Sequence, residues 1–381
     1  MTVDHSTLSI YPATPAQISE ARRRTWSEWG KGLTLQEHLA SDAAQDLLEG
    51  SRDGRLITWV LAPRDNSQTL DFKCSCETFK RTALVVNPAS ASVETVTCYA
   101  IASVFTPPEN RGQGFARHMM RLMHWVVADE ALLPSGDFPA VWGEPPCKVN
   151  GLRNGRFSTL WSDVGDFYST CGPVPGTQDG WTIRGRSTTA WDLDACSFPD
   201  STAGDSTAGD WTWLDDCGVV KLWEEDSEKI RRDVEQIHAG LTFTCLPSHG
   251  VASFQHRSLD IFSDRLDNPL RIWGVVSPDR STYATWMMDP RPPAPRTLTV
   301  SRLRVEPSDF DALLGRVFEI AKKYDVERIE IWSLPSELEV VARQLGATTY
   351  LREEHLPAFK WYGKEREADV SWAFNERFGW C

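Results

Sequence analysis

Nowhere does the chain approach the roughly 18 consecutive apolar residues that a membrane-spanning helix needs. Its opening, MTVDHSTLSI, lacks the basic segment and apolar stretch of a secretion signal. Clustered Lys and Arg are missing too. The 53 acidic residues against 40 basic ones leave a formal net charge of -13, which argues against nucleic-acid partners and an anionic membrane surface. The paired CxxC and His spacing of zinc sites is absent, because Cys74 and Cys76 form only a CxC pair; no metal is expected. Nine Cys, an odd number at wide spacings, read as free thiols in a reducing compartment rather than as a disulfide framework. The ending GWC fits neither a peroxisomal address nor a prenylation box. The expectation is a soluble, cytoplasmic protein.

What is present describes a folded chain: 17 Trp, 16 Phe and 41% hydrophobic residues over 381 positions, enough for two cores. A short strand LSIYPAT leads into the helical PAQISEARRRTWSEWGKG, with Pro in its first turn, and a second helix LTLQEHLASDAAQDLL. GRLITWVLAP, FKCSCETFKRTALVV and VETVTCYAIASVFT are rich in β-branched and aromatic residues and read as an antiparallel meander. From Gly114, apolar residues at Phe115, Met119, Leu122, Met123 and Val126 mark an amphipathic helix ending near Asp129. After a Pro- and Gly-rich excursion come a strand STLWSDVG, a short helix DFYSTCG and one or two strands in WTIRGRSTTAWDL. The doubled STAGD within PDSTAGDSTAGDW reads as a flexible linker. Beyond Trp211 a similar series restarts, closing with the strand-like TTYLREEHLPAFKW. The expected organisation is residues 1–199, a linker at 200–210, and a second domain at 211–381.

The segment VFTPPENRGQGFARHMM places a glycine loop between a strand and a helix, where free backbone amides and the positive end of the helix dipole suit a phosphate. A dinucleotide fingerprint needs a third glycine, and that position holds Arg117. A Walker loop needs a Lys, and none is there. What remains is Arg111-x-x-Gly114-x-Ala116 at a strand-to-helix junction.

That arrangement resembles the acetyl-CoA loop of the GNAT superfamily of N-acetyltransferases. The Pro and Glu of TPPENRGQG and the order of the flanking elements strengthen the likeness. The resemblance implies an α/β (α+β) fold: an N-terminal GNAT domain with a mixed, mainly antiparallel sheet, then a second GNAT-like domain. It implies that backbone groups of Val104 and Thr106 hold the pantetheine arm of acetyl-CoA, and that the loop of Arg111, Gly112, Gln113, Gly114, Phe115, Ala116 and Arg117 holds the pyrophosphate through amides from Gly112 to Arg117. It further implies that Tyr168, in SDVGDFYSTCGP, protonates the departing CoA thiolate. Asp163, Asp166 and Tyr99 are candidate contacts for the acceptor, Asp166 being equally suited to cap the helix after it. CSCETFKRTALV, LWSDVGDFYSTCG, HLPAFKWYG and WAFNERFGWC resemble more narrowly a fungal group of lysine N-acetyltransferases with a GNAT-like C-terminal domain. The implied acceptor is a small amine, in the best-known case the side-chain amine of free lysine.

GNAT enzymes often carry a general base, a glutamate, on the fourth strand. The corresponding region here, Thr97 to Ala100, has no carboxylate. A GNAT-fold protein that binds acyl-CoA without turnover is therefore the alternative expectation. The C-terminal domain, whose VSRLRVEPSDFDALLG lacks the loop glycines, is expected to bind no CoA and to cover the acceptor side of the first domain. The tail RFGWC is expected to bring Cys381 against the cleft.

Overall fold

The protein, described by a computed structural model over residues 3–87, 92–133, 138–193, 211–237, 240–258, 265–291 and 293–381, is built on two mixed sheets. The strands are β1 (Leu8–Pro12), β2 (Leu56–Pro63), β3 (Cys74–Asn87), β4 (Ser92–Phe105), β5 (Gly155–Ser162), β6 (Thr182–Ile183), β7 (Ser187–Asp192) and β8 (Thr212–Leu214), followed by β9 (Leu241–Cys245), β10 (Gly274–Val276), β11 (Tyr283–Asp289), β12 (Thr297–Arg304), β13 (Arg328–Trp332), β14 (Thr348–Leu351), β15 (Leu356–Trp361) and β16 (Val370–Trp372). The helices are α1 (Pro15–Trp29), α2 (Leu35–Asp46), α3 (Phe115–Val127), α4 (Asp216–Glu235), α5 (Phe254–Ser258), α6 (Phe310–Lys323) and α7 (Ser336–Gln344). The expected linker at 200–210 lies outside the described residues.

Local sequence sets most of these boundaries. Thr14 and Thr34 open α1 and α2 with reciprocal caps, their hydroxyls accepting from the amides of Gln17 and Glu37 while those side chains return to the cap amides. β2, β3 and β4 form the expected antiparallel meander. The anticipated helix DFYSTCG shortens to one 3-10 turn, Phe167–Thr170.

The first sheet runs β1-β2-β3-β4-β5-β15-β6, and the second β8-β10-β11-β12-β13-β7-β14. The two orders correspond position by position, and in each the fourth strand runs parallel to the fifth: β4 with β5, β12 with β13. One exchange ties the halves together. β7 follows β6 in sequence but lies in the second sheet between β13 and β14, while β15 follows β14 but lies in the first between β5 and β6. β9 also joins the first sheet, along the edge of β3. Sheet membership thus crosses the boundary read at 200–210: neither sheet is complete without a strand from the other half.

Strand alternation gives the first sheet two distinct faces. Cys74, Cys76, Tyr99, Ile101 and Leu160 face α3 and pack against Met119, Met123 and Val126. On the opposite face Phe79 and Ala100 pack with Leu48, Phe254, Trp161, Trp380 and Cys381. The tail from Arg377 and the α5 segment therefore lie on the face away from α3.

Candidate functional site

The glycine loop sits where β4 and β5 part. Their parallel pairing ends at Ile101 and Leu160, so the β5 side of β4 from Ala102 to Phe105 has no strand partner. A bulge marks the same place. β3 pairs Ser75 with Phe105 and Glu77 with Ala102, leaving an extra residue on β4, and Ser103 adopts a positive φ of 55°. Beyond Phe105 a 3-10 turn, Pro108–Asn110, leads to Gly112 and Gly114, whose φ values of 75° and 80° suit glycine.

Gly114 is the N-cap of α3 and has no side chain to satisfy the first turn. The first amides of a helix have no intrahelical acceptor, and among the described residues no protein group accepts from the amides of Gly112 through Arg117. A Cβ at Gly112 would meet nothing within 4 Å, so the approach is open. These features fit the pyrophosphate of a CoA ester.

The other loop residues shape this cradle. Arg111 donates to the Thr106 carbonyl at 3.0 Å and pairs with Glu28 at 2.7 Å, which fixes the entry of the loop. The Gln113 carbonyl lies 2.8 Å from a ring nitrogen of His5, and the Thr106 hydroxyl donates to the Cys74 sulfur at 3.3 Å. Phe115 anchors the helix in the core and Ala116 packs at its edge. Arg117 is exposed, sits 5.6 Å from the centre of the Phe167 ring and has no carboxylate partner among the described residues.

Tyr168 lies beyond the end of β5, packed edge-on against Phe167 and Trp181. Its hydroxyl makes no hydrogen bond to a described residue, and its pKa is raised, by burial first and then by the neighbouring thiols of Cys171, Cys74 and Cys76 and the Asp163 carboxylate. A phenol so placed stays protonated and free to donate.

The three residues expected at the acceptor have different surroundings. Tyr99 is corrected: it is 1% exposed, packs on the α3 face, and donates its hydroxyl proton to Asn154 at 2.6 Å. That face is opposite the tail and α5. Asp163 is exposed, accepts from the His355 amide at 2.7 Å and pairs with its ring at 3.0 Å, so the C-terminal half engages it, and its pKa is lowered, the partial desolvation of the carboxylate being outweighed by His355. Asp166 is exposed at the N-cap of the 3-10 turn, without a side-chain cap bond.

Sequence reasoning missed Glu77. It looked for a carboxylate on β4, whereas Glu77 lies on β3 and accepts from the Ser103 hydroxyl at the β4 bulge, at 2.8 Å. Burial raises its pKa, the Ser103 bond opposes this, and Asp42 and Asp46 of α2 add to it across Arg22. Asp42 is itself pushed up to about 6, chiefly by burial. The signal available was positional: FKCSCETFK alternates Cys, Cys and Thr on one side with Glu77 and Phe79 on the other.

The corresponding parting of strands in the second sheet is filled by the chain itself. β12 and β13 stop pairing after Val300 and Ile331. The Glu376 carboxylate accepts from the Leu303 amide at 2.7 Å and from Arg302, whose guanidinium lies 4.8 Å from the centre of the Phe374 ring. A carboxylate of the tail thus occupies the strand edge that the first sheet leaves open. Among the described residues no helix is long and apolar enough to cross a membrane, and no group of His, Cys, Asp and Glu is arranged to hold a metal.

Residues 195–381 match the family model of the LYC1 GNAT-like C-terminal domain. A lysine acetyltransferase of the yeast Yarrowia lipolytica is 29% identical over 173 residues, 44% of this chain and 40% of that protein, so the match spans less than half of that relative. Among solved structures the chain is similar to a GCN5-related N-acetyltransferase from Kribbella flavida, with a TM-score of 0.50, 13% identity, and 93% of this chain and 72% of that one covered. It is also similar to a conserved protein of unknown function from Enterococcus faecalis, a probable N-acyltransferase, with a TM-score of 0.52, 10% identity, and 94% and 73% covered.

Proposed function

The chain has the GNAT fold and a C-terminal half of the LYC1 GNAT-like type, and on that premise we propose that it transfers acetyl from acetyl-CoA to the side-chain amine of free lysine. The observation that carries this reading is the run of acceptor-free amides from Gly112 to Arg117, beside the open edge of β4. Amides of that loop bind the pyrophosphate, Arg117 adds a cation, and the pantetheine arm lies along Val104 and Thr106.

A lysine side chain has an ordinary pKa near 10.4 and arrives as ammonium. Glu77, held by Ser103, accepts the proton directly or through water. The freed amine attacks the thioester carbonyl, forming the N–C bond, and the resulting oxyanion meets the unpaired edge of β4 near Val104. As the C–S bond breaks, Tyr168 gives its proton to the thiolate; the nitrogen sheds its second proton, which restores the phenol through solvent, and Glu77 releases the first to solvent. The products are the N-acetyl amine and CoA, and no enzyme nucleophile is required.

Two substitutions test the assignment. Tyr168→Phe is expected to lower turnover by about 100-fold, the lower end of the scale for losing a general acid, with acetyl-CoA affinity unchanged. Thiol release measured beside calorimetric binding checks this, and an unchanged rate removes Tyr168 from the acid role. Gly114→Ala places a Cβ 3.1 Å from the His5 ring at a φ of 80°. The left-handed conformation costs a residue with a side chain about 1–2 kcal/mol, so the loop should relax and acetyl-CoA affinity fall by about tenfold. Equal affinity for the two proteins contradicts the loop assignment.

A further inference from the structure

The first sheet has a notch in one edge. β2 pairs with β3 from Cys74 to Phe79, and β9 pairs along the same edge from Ala83 to Val86, leaving 80–82 without a strand partner on that edge, though paired with β4 on the other. A cavity of about 210 Å³ opens there, with Phe79, Val251 and Phe254 among its apolar walls. Its charged lining is of one sign, Arg55, Lys80 and Arg81, with His249 beside them and no Asp or Glu.

Arg81 is the residue that demands an explanation. It is 7% exposed, donates to the Gly379 carbonyl at 2.5 Å, lies against the Cys381 side chain, and takes part in no ion pair with a carboxylate among the described residues. Glu49, outside the lining, compensates Arg55 at 3.9 Å and His249 at 3.7 Å but not Arg81. A buried cation without a counter-ion is costly. An anionic group in the cavity removes that cost.

Alternation along β3 puts Glu77, Phe79 and Arg81 on one face, about 13 Å from first to last at about 3.3 Å per residue. An extended lysine spans about 7–8 Å from its side-chain nitrogen to its carboxyl carbon, six bonds of about 1.5 Å. Phe79, between the two charged residues, lines the cavity beside Arg81, while Trp380 and Cys381 of the tail pack over Phe79 and Ala100; an acceptor reaching from Arg81 to Glu77 would lie under that tail. We infer that this notch is the subsite for the acceptor's carboxylate and that Arg81 is its buried counter-charge. The inference rests on the acetyltransferase reading for the place of the amine. It makes the C-terminal half, through Val251 and Phe254, part of acceptor selection. It also excludes lysine within a peptide chain, whose carboxyl is an amide.

The test compares acceptors with the full chain and acetyl-CoA: L-lysine and Nα-acetyl-lysine, which keep the carboxylate, against lysinamide and cadaverine, which lack it. Loss of a charge-assisted contact should raise KM for the latter two by about tenfold or more. Arg81→Gln should raise KM for L-lysine to a similar degree and so abolish the preference for L-lysine over lysinamide, with Arg81→Lys restoring part of that preference. Wild-type protein that takes lysinamide as readily as L-lysine overturns the subsite, whether or not the variants fold. If no amine is acetylated, the acetyltransferase reading falls on its own. Calorimetric binding then decides the subsite: L-lysine bound by the wild type and weakened in Arg81→Gln supports it, and equal or absent binding overturns it.

Discussion

Glu77→Gln is expected to lower turnover with L-lysine by about 100- to 1,000-fold, within the range for removing a positioned base, while acetyl-CoA affinity stays at the wild-type value. Gln keeps the shape and can still accept from Ser103, 2.8 Å away in the wild type, but it cannot take a proton from an ammonium. The pH profile adds an independent sign. Glu77 must be ionised to act, and burial, with Asp42 and Asp46 nearby, shifts its titration upward against Ser103 and Arg22. The acid limb of kcat/KM should therefore lie above the ordinary glutamate range and should change in the variant. Steady-state rates across pH, with thiol release as the readout, check both points. A variant within about threefold of wild type at every pH places the base elsewhere.

Asp226→Asn is expected to cost about 3–5 kcal/mol, the scale of breaking a buried ion pair by removing one partner. Asp226 on α4 is 0% exposed and accepts from Arg302 Nε at 2.7 Å and Arg304 Nε at 3.0 Å on β12. Arg302 is fully enclosed and also holds Glu376 at 2.5 Å. Removing the charge leaves two guanidinium groups competing for what remains. Set against a typical total of about 5–15 kcal/mol, the loss should appear as a melting midpoint lower by many degrees. The sign with pH follows from the Asp226 pKa, which is lowered because Arg302 and Arg304 outweigh its burial. Its contribution is fully present above the ordinary aspartate value and is lost as pH falls through the lowered folded one. Thermal unfolding of the two proteins at pH 7 and near pH 3 should therefore differ more at the higher pH. A midpoint unchanged at pH 7 contradicts the network's role.

The tail gives that network a functional consequence. Arg302 and the Leu303 amide hold Glu376, and the next residues place Gly379 against Arg81 and Trp380 beside Phe79, Ala100 and Trp161. The parting strands of the second sheet are thus used to fix the segment that covers the first.

Much of this was legible in the sequence because it is local. The capped helices, the β2–β4 meander, the amphipathic α3 and the glycine pair depend on propensity and spacing within a few residues, and two of the four segments that carry the narrower resemblance, HLPAFKWYG and WAFNERFGWC, fall within the residues that match the family model, 195–381. The exchange of β7 and β15 was not legible. Both are ordinary strands by composition, and their destination depends on pairing across more than 130 residues. Glu77 escaped for a related reason: its significance comes from the β4 bulge that brings Ser103 to it. Tyr99 erred the other way, since alternation alone does not say which face of a two-sided strand meets α3.

The most direct measurement is to incubate the full chain with acetyl-CoA and L-lysine, follow free thiol, and locate the acetyl group on the product by mass spectrometry. The account predicts one thiol released for each lysine acetylated, with the acetyl on the side-chain nitrogen. Acetyl-CoA bound at the loop with no thiol released for L-lysine or any other amine would contradict it.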